Sequence, residues 1–283
     1  SGPRDRFFFL ENTFMTHHVI LGAGPAGVIA AETIRKHAPA DTITLVGDEP
    51  EPPYSRMAIP YLLIGNIQEA GTYLRKSAAH FANLRITQVG AKALKVDAAA
   101  RTVSLDNGQT LSFDRLLIAT GSHPVRPPIA GMDLPGVHPC WTLEDARNIM
   151  KLAQPGAKVL QMGAGFIGCI IMEALKQRGV ELSVVEMGDR MVPRMMGPTA
   201  GGMIKDWCEQ QGVKVYTGTK VEAIEPASAP AASGGGLLSK LASAVGLGGG
   251  DAPAGTGQGL RVKLGNGETV EADLVISATG VRP

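Results

Sequence analysis

Two glycine-rich runs could do chemistry in this sequence: Gly22-Ala-Gly24-Pro25-Ala26-Gly27 and Gly163-Ala-Gly165-Phe166-Ile167-Gly168. Each follows an apolar strand-like run, His17–Leu21 or Lys158–Met162, and opens a helix-like run. In that context the first glycine makes a tight turn, the second lets the backbone approach a pyrophosphate, and the third lets the helix pack closely on the strand. The helix N-terminus then offers N–H groups and a positive dipole end to the phosphates. An acid about 20 residues further on completes the pattern by accepting from a ribose hydroxyl. Asp48, with Glu49 beside it, follows Gly27 at close to that spacing, and Glu186 follows Gly168 slightly sooner. A carboxylate at Glu186 holds a free 2′-hydroxyl and repels a 2′-phosphate, which favours NAD(H) over NADP(H). Arg190, just beyond it, keeps NADPH within reach. The reading is two dinucleotides per chain.

The elements that position these runs come as a tandem repeat. Leu105–Pro124 aligns without gaps with Leu264–Pro283, and the two glycine runs align in the same way at a smaller offset. Each later segment reads as a strand, an Asn-Gly hairpin turn, a return, and a buried apolar strand ending in Ala-Thr-Gly. The first helix is expected from about Ala26 to His37, with basic residues in its last turn and Pro39 beyond; strand Thr42–Val46 follows. In the second copy the helix runs to about Arg178 and the strand over Glu181–Val185. The difference between the two offsets has its place in Pro226–Gly259, where Ala, Gly, Ser and Pro dominate. This segment reads as an inserted loop, in which Leu237, Leu238, Leu241 and Val245 have helical spacing. The fold class is α/β: two Rossmann-like, three-layer nucleotide-binding units, residues 15–124 and 125–283 with the insertion at 226–259, preceded by an extension at 1–14.

Composition narrows the function. The 283 residues correspond to about two domains. Lys+Arg 27 against Asp+Glu 26 provides no basic field for nucleic acid. No apolar run approaches the ~20 residues of a membrane span. Phe7–Leu10 is too short for a signal-peptide core, so the expected compartment is the cytoplasm. Cys140, Cys169 and Cys208 match neither a zinc ribbon nor a CxxC pair and read as reduced, buried thiols. His17-His18 lack partners for a metal site, and no Ser/His/Asp constellation is discernible, so no metal and no catalytic side chain is assigned.

With GAGPAG, GAGFIG and an Ala-Thr-Gly strand closing each unit, the chain from Met15 to Pro283 resembles the two-dinucleotide-binding-domain flavoproteins, the pyridine nucleotide-disulfide oxidoreductases. The resemblance implies FAD on the first unit, NAD(P)H on the second, and hydride transfer from nicotinamide to flavin. Pro53-Tyr54-Ser55-Arg56 resembles a stretch of the ferredoxin-reductase and nitrite-reductase-like branches whose Arg approaches the FAD pyrophosphate. Thr142-Leu143-Glu144-Asp145-Ala146 resembles the connection into the NAD domain. Ala93, Ala119, Thr120, Gly121 and Gly280 join the glycine-run residues, Asp48, Glu49, Arg56 and Glu186 as the candidate cofactor-binding set.

The sequence departs from that family in four ways. No cysteine precedes Cys140, so the dithiol relay is not expected. Met57 stands where some members have a reactive cysteine. Trp141 replaces a basic residue before the TLEDA stretch, and Ile170 a glutamate after the glycine run. The sequence given ends at Pro283, before the family's second flavin-binding segment and C-terminal interface domain, so a C-terminally truncated flavoprotein is expected. The leading reading is an FAD-dependent NAD(P)H oxidoreductase feeding an unidentified acceptor, a redox protein or a small molecule. The alternatives are an NADH oxidase and a non-catalytic dinucleotide-binding sensor or scaffold.

Overall fold

The structure, a computed structural model, describes residues 15–227 and 259–283. The 1–14 extension and the Leu237–Val245 pattern lie outside the described residues. In chain order the first elements are β1 (His17–Leu21), α1 (Pro25–His37), β2 (Thr42–Gly47), α2 (Ile59–Ile64), α3 (His80–Asn83), β3 (Ile86–Gly90), β4 (Ala93–Asp97), β5 (Thr102–Leu105), β6 (Thr110–Ser112) and β7 (Arg115–Ile118). There follow β8 (His123–Pro124), β9 (Val137–Pro139), α4 (Leu143–Leu152), β10 (Lys158–Met162), α5 (Phe166–Gln177), β11 (Glu181–Glu186), α6 (Pro198–Gln210) and β12 (Lys214–Thr217). The chain closes with β13 (Val221–Pro226), β14 (Leu260–Leu264), β15 (Thr269–Ala272), β16 (Leu274–Ser277) and β17 (Val281–Arg282).

These elements form two compact units. Unit 1 holds the chain through Ser55 together with Tyr73–Gly121; unit 2 holds Arg56–Thr72 and everything from Ser122. The stretch containing Arg56 and α2 thus groups with the second unit. The reason is local packing: α2 lies on α4 and α5. The Arg178 guanidinium donates to Leu63 O at the end of α2 and to Ala153 O and Met150 O at the end of α4. Arg178 itself stands at the end of α5, so one cation gathers three helix C-termini, with their orphan carbonyls and negative dipole ends.

Unit 1 has a parallel sheet of order β3-β2-β1-β7. Alternation along each strand builds the layers. Ile20, Ile43 and Leu45 point to α1 and α3, where they join Val28, Ala31 and Phe81. Val19, Leu21 and Val46 point the other way, against Val103 and Leu105 of the antiparallel β4-β5-β6 sheet. Each such aliphatic side chain contributes about 1.5–3 kcal/mol by burial.

Unit 2 repeats the plan with order β12-β11-β10-β16-β9 and an antiparallel β13-β14-β15 sheet packed on Leu160, Met162, Val185 and Val275. The repeat extends to single hydrogen bonds. Asp114 N donates to His17 O at 2.9 Å and His17 N to Asp114 Oδ2 at 2.8 Å; Asp273 and Lys158 make the same exchange at 2.7 and 2.8 Å. The insertion enters between Pro226 and Leu260, which face each other across the β13–β14 pair.

One expectation fails: the two Ala-Thr-Gly strands are not both buried. All four residues of β16 are buried, whereas Leu117 and Ile118 of β7 are exposed. The cause is the neighbour each strand has. β16 is flanked by β9 through Val275↔Val137, and β7 is the edge of its sheet.

The Arg178 anchor can be checked directly. Arg178→Met should lower the unfolding free energy by about 2 kcal/mol, because it leaves several partly buried carbonyls without their charged donor. Urea denaturation followed by far-UV circular dichroism reads this loss, and an unchanged midpoint would show that α2 is held by apolar packing alone.

Candidate functional site

In each unit the glycine turn lies where the strand order reverses, between β1 and β7 or between β10 and β16, at the C-terminal ends of the parallel strands. Open α/β sheets bind ligands in that crevice. Gly22 and Gly163 turn the chain with φ of +110° and +95°. A Cβ at Gly22 would meet Ala119 O at 2.2 Å, and one at Gly163 would meet Ala278 O at 2.6 Å. The third glycines are equally confined: a Cβ on Gly27 would lie 1.9 Å from Gly22 O, and one on Gly168 2.5 Å from Gly163 O.

The middle glycines are different. Gly24 and Gly165 have φ near −75° and extended ψ, which any residue adopts, and a Cβ on either would meet nothing within 4 Å. Protein packing therefore gives no reason for glycine there. Gly24 and Gly165 are also the N-caps of α1 and α5, which have neither a side-chain cap nor an acid in the first turn. By contrast, α4 carries a full capping box, in which Asp145 N donates to Thr142 Oγ1 and the Asp145 carboxylate accepts from Thr142 N. An uncapped helix start behind a backbone bare of side chains is a fitting cradle for an anionic group. Pro25, Ala26, Phe166 and Ile167, in the first turns of these helices, are exposed beside the two cradles.

The acids behave differently in the two units. Pairing registers align Leu21 with Val46 and Met162 with Val185, so Glu186 corresponds in position to Gly47. Asp48 is the next residue, exposed beyond the end of β2, and the Glu49 carboxylate accepts from Tyr54 Oη at 2.5 Å. The two acids found by counting from the glycines thus occupy non-equivalent positions. Glu186 ends β11 and accepts from Ala164 N and Gly188 N, both at 2.8 Å. Its carboxylate is fixed beside the second glycine turn. Arg190 is occupied: it pairs with Asp189 at 2.6 Å and donates to Met196 O and Pro193 O.

Ala119, Thr120 and Gly121 follow the end of β7, and Ala119 N donates to Leu21 O at 2.7 Å. Gly280 holds the matching place in unit 2, with φ +110° and open space around it. Two further candidates stand on other elements. Ala93 begins β4 and packs against the Val19, Leu21 and Val103 cluster. Arg56 belongs to unit 2, where it donates to Trp141 O at 3.0 Å and its guanidinium lies 5.3 Å from the centre of the Trp141 ring. Trp141 is further fixed through its indole N–H on Ser122 O and its backbone N–H on Asp145. With Cys140, Ile167, Ile171, Ala278 and Gly280 it lines an apolar pocket of unit 2.

The three thiols are free, and only Cys208 is buried; Cys140 and Cys169 are half-buried. Desolvation pushes the Cys140 thiol up to about 12 and the Cys169 thiol to about 11. Both remain protonated at neutral pH and are poor nucleophiles. Among the described residues, no group of three or more His, Cys, Asp or Glu could hold a metal, and no helix is long and apolar enough to cross a membrane.

Comparison with known proteins agrees with this geometry. The family model described as pyridine nucleotide-disulphide oxidoreductase matches residues 16–283. The chain belongs to that family. It is 30% identical over 269 residues to the NADH-dependent phenylglyoxylate dehydrogenase subunit epsilon of Aromatoleum evansii, covering 95% of this chain and 57% of the relative. It is 32% identical over 235 residues to rhodocoxin reductase of Rhodococcus erythropolis, covering 81% and 55%. Among solved structures, the NAD-dependent persulfide reductase from A. fulgidus superposes with a TM-score of 0.78 at 29% identity, covering 94% of this chain and 46% of that one. The chain spans about half the length of these family members.

Two measurements follow from the geometry alone. Gly27→Ala should cost several kcal/mol of stability, because the methyl group meets a backbone carbonyl, whereas Gly24→Ala should leave the melting temperature within about 2 °C. Equal losses would show that the space at Gly24 is structural. Iodoacetamide should alkylate native Cys140 and Cys169 at pH 8 about a hundredfold more slowly than in the unfolded chain, with rates climbing above pH 10. Rapid labelling at pH 8 would show thiolates that burial had failed to suppress.

Proposed function

We propose that this chain is the dinucleotide-handling part of an FAD-dependent NAD(P)H oxidoreductase. FAD lies on unit 1, NADH is preferred to NADPH on unit 2, and electrons pass to an acceptor that is a redox protein. The observation that carries the reading is the pair Gly24 and Gly165: glycines with no packing duty, each at an uncapped helix start in the crevice of a parallel sheet. A side chain there would be harmless to the protein and obstructive to a pyrophosphate. The names of the relatives, an NADH-dependent dehydrogenase subunit and a rhodocoxin reductase, support the pyridine nucleotide and a protein acceptor.

Both cradles fit their cofactors in chemistry. In unit 1, Gly22–Gly27 and the start of α1 would hold the FAD pyrophosphate, Asp48 and Glu49 supply carboxylates beyond β2, and Ala119–Gly121 form the wall from β7. In unit 2, Gly163–Gly168 would hold the NADH pyrophosphate while Glu186 meets the ribose end. A second reason for NADH over NADPH is Arg190, whose guanidinium is committed to Asp189, Pro193 and Met196 and so is not presented to a 2′-phosphate. Flavin held on unit 1 would supply the redox chemistry between NADH and the acceptor. The side chains bind, orient and keep the nucleotides in register, and the protonated thiols stay out of the reaction. The protein works in the cytoplasm, where pyridine nucleotides are at hand and thiols remain reduced.

Anaerobic titration of the FAD-reconstituted protein tests this. The flavin bands should bleach at about tenfold or more lower NADH than NADPH concentration. Gly165→Ala should abolish the NADH response while leaving bound FAD and melting temperature unchanged. Nucleotide binding without bleaching would point to the sensor reading, and equal responses to the two nucleotides would defeat the role given to Glu186.

A further inference from the structure

The two glycine turns share one backbone, yet unit 2 clamps its turn from three sides. Gln161, completely buried on β10, donates through Nε2 to Gly163 O at 2.9 Å and to Gly168 O at 3.0 Å. Both neighbours are carbonyls, so the amide nitrogen must face them, and Oε1 is left buried without a hydrogen-bond partner among the described residues. Glu186 accepts from Ala164 N, and Val192 N donates to Ala164 O at 2.9 Å. Val192, a β-branched residue, holds φ of +49° to do so. Such strain in a β-branched residue persists where the surrounding structure over-determines the backbone, typically at functional sites.

Unit 1 solves the packing without this apparatus. At the position of Gln161 it has Ile20, whose Cγ2 lies 3.3 Å from where a Gly27 Cβ would be, and at the position of Glu186 it has Gly47. Neither carries a side-chain hydrogen-bonding group. An aliphatic side chain is thus sufficient to fill the gap beneath the turn. A half-satisfied buried amide is a poorer stabiliser than the isoleucine it replaces. Gln161 is therefore not explained by stability.

We propose that Gln161 is a positioning residue for the pyridine nucleotide: its amide locks the Gly163 and Gly168 carbonyls, and with Glu186 and Val192 it fixes the Gly163-Ala164-Gly165 backbone in the orientation that receives the pyrophosphate. This rests on the assignment of the second unit to NADH. A preorganised turn has a purpose there, because a substrate that binds and leaves each cycle must recover the cost of ordering its site at every encounter.

The test is Gln161→Ile, which installs unit 1's own solution, with Gln161→Leu as a second variant if the branched side chain disturbs β10. Calorimetric titration of the full chain with NADH and with ADP-ribose should show both weakened alike, by about tenfold, as expected for the loss of two neutral hydrogen bonds. Melting temperature should be equal to or above that of the wild type, and FAD content should be unchanged. In turnover the KM for NADH should rise while kcat holds. Wild-type affinity in a folded variant would overturn the proposal, as would weakening that tracks a fall in melting temperature. Failure of the wild-type protein itself to bind NADH and ADP-ribose would instead overturn the underlying assignment of unit 2.

Discussion

The structure depends on one close approach, that of a strand's outgoing turn to the carbonyl at the end of the neighbouring parallel strand. A Cβ would come within 2.2 Å of that carbonyl at Gly22 and within 2.6 Å at Gly163, which leaves no room for any side chain. The approach is fixed at both ends of the strand pair. Ala119 N or Ala278 N bonds the last residue of the central strand, and Asp114 or Asp273 exchanges two hydrogen bonds with the first. With the central pair locked, the helix after the turn must lie over the sheet, which is why Gly27 and Gly168 are also confined. The crevice for a ligand is therefore a by-product of how the strands are forced together.

Duplication of that device did not make two identical sites. The copies agree in backbone and in the Asp114 and Asp273 carboxylates that bond the start of the central strand; around the turn they differ in polar side chains. Unit 1 keeps apolar or absent side chains at Ile20 and Gly47, and unit 2 has Gln161 and Glu186. The sheet edges differ as well: β9 buries β16, while β7 keeps an open edge with Leu117 and Ile118 in solvent.

Much of the frame was legible because it is written in local pattern. The helix over Pro25–His37 starts just before the expected Ala26, and both Asn-Gly hairpins and the insertion point at 226–259 follow from repeat alignment. What was not legible depends on contacts distant in sequence. Arg56 sits in a stretch that reads as part of the first unit, but α2 beside it is held by Arg178, far along the chain, whose role no local pattern announces. The burial of β16 and exposure of β7 turn on β9, a short strand without a motif. Counting residues from the glycines located an acid in each unit, but the longer connection in unit 1 moves Asp48 past the strand end. Gln161 carried a signal that was readable: a lone amide in an apolar run whose aligned partner is isoleucine.

The distribution of polarity separates holding from reacting. Three polar side chains of unit 2 are committed to backbone: Gln161 to two carbonyls, Glu186 to two amides, Arg178 to the ends of the helices it joins. The neighbouring pocket is by contrast apolar, and its one ionisable lining group, Cys140, is held neutral by desolvation. Trp141 is immobilised there by Arg56, Ser122 and Asp145, so the pocket presents a fixed aromatic surface in place of a flexible charge. The described side chains around this turn and pocket therefore serve to hold backbone and to line an apolar wall. On the proposed reading, rigidity at the second glycine turn is set by side chains that bond backbone, and the low dielectric beside it by the apolar residues that line the pocket.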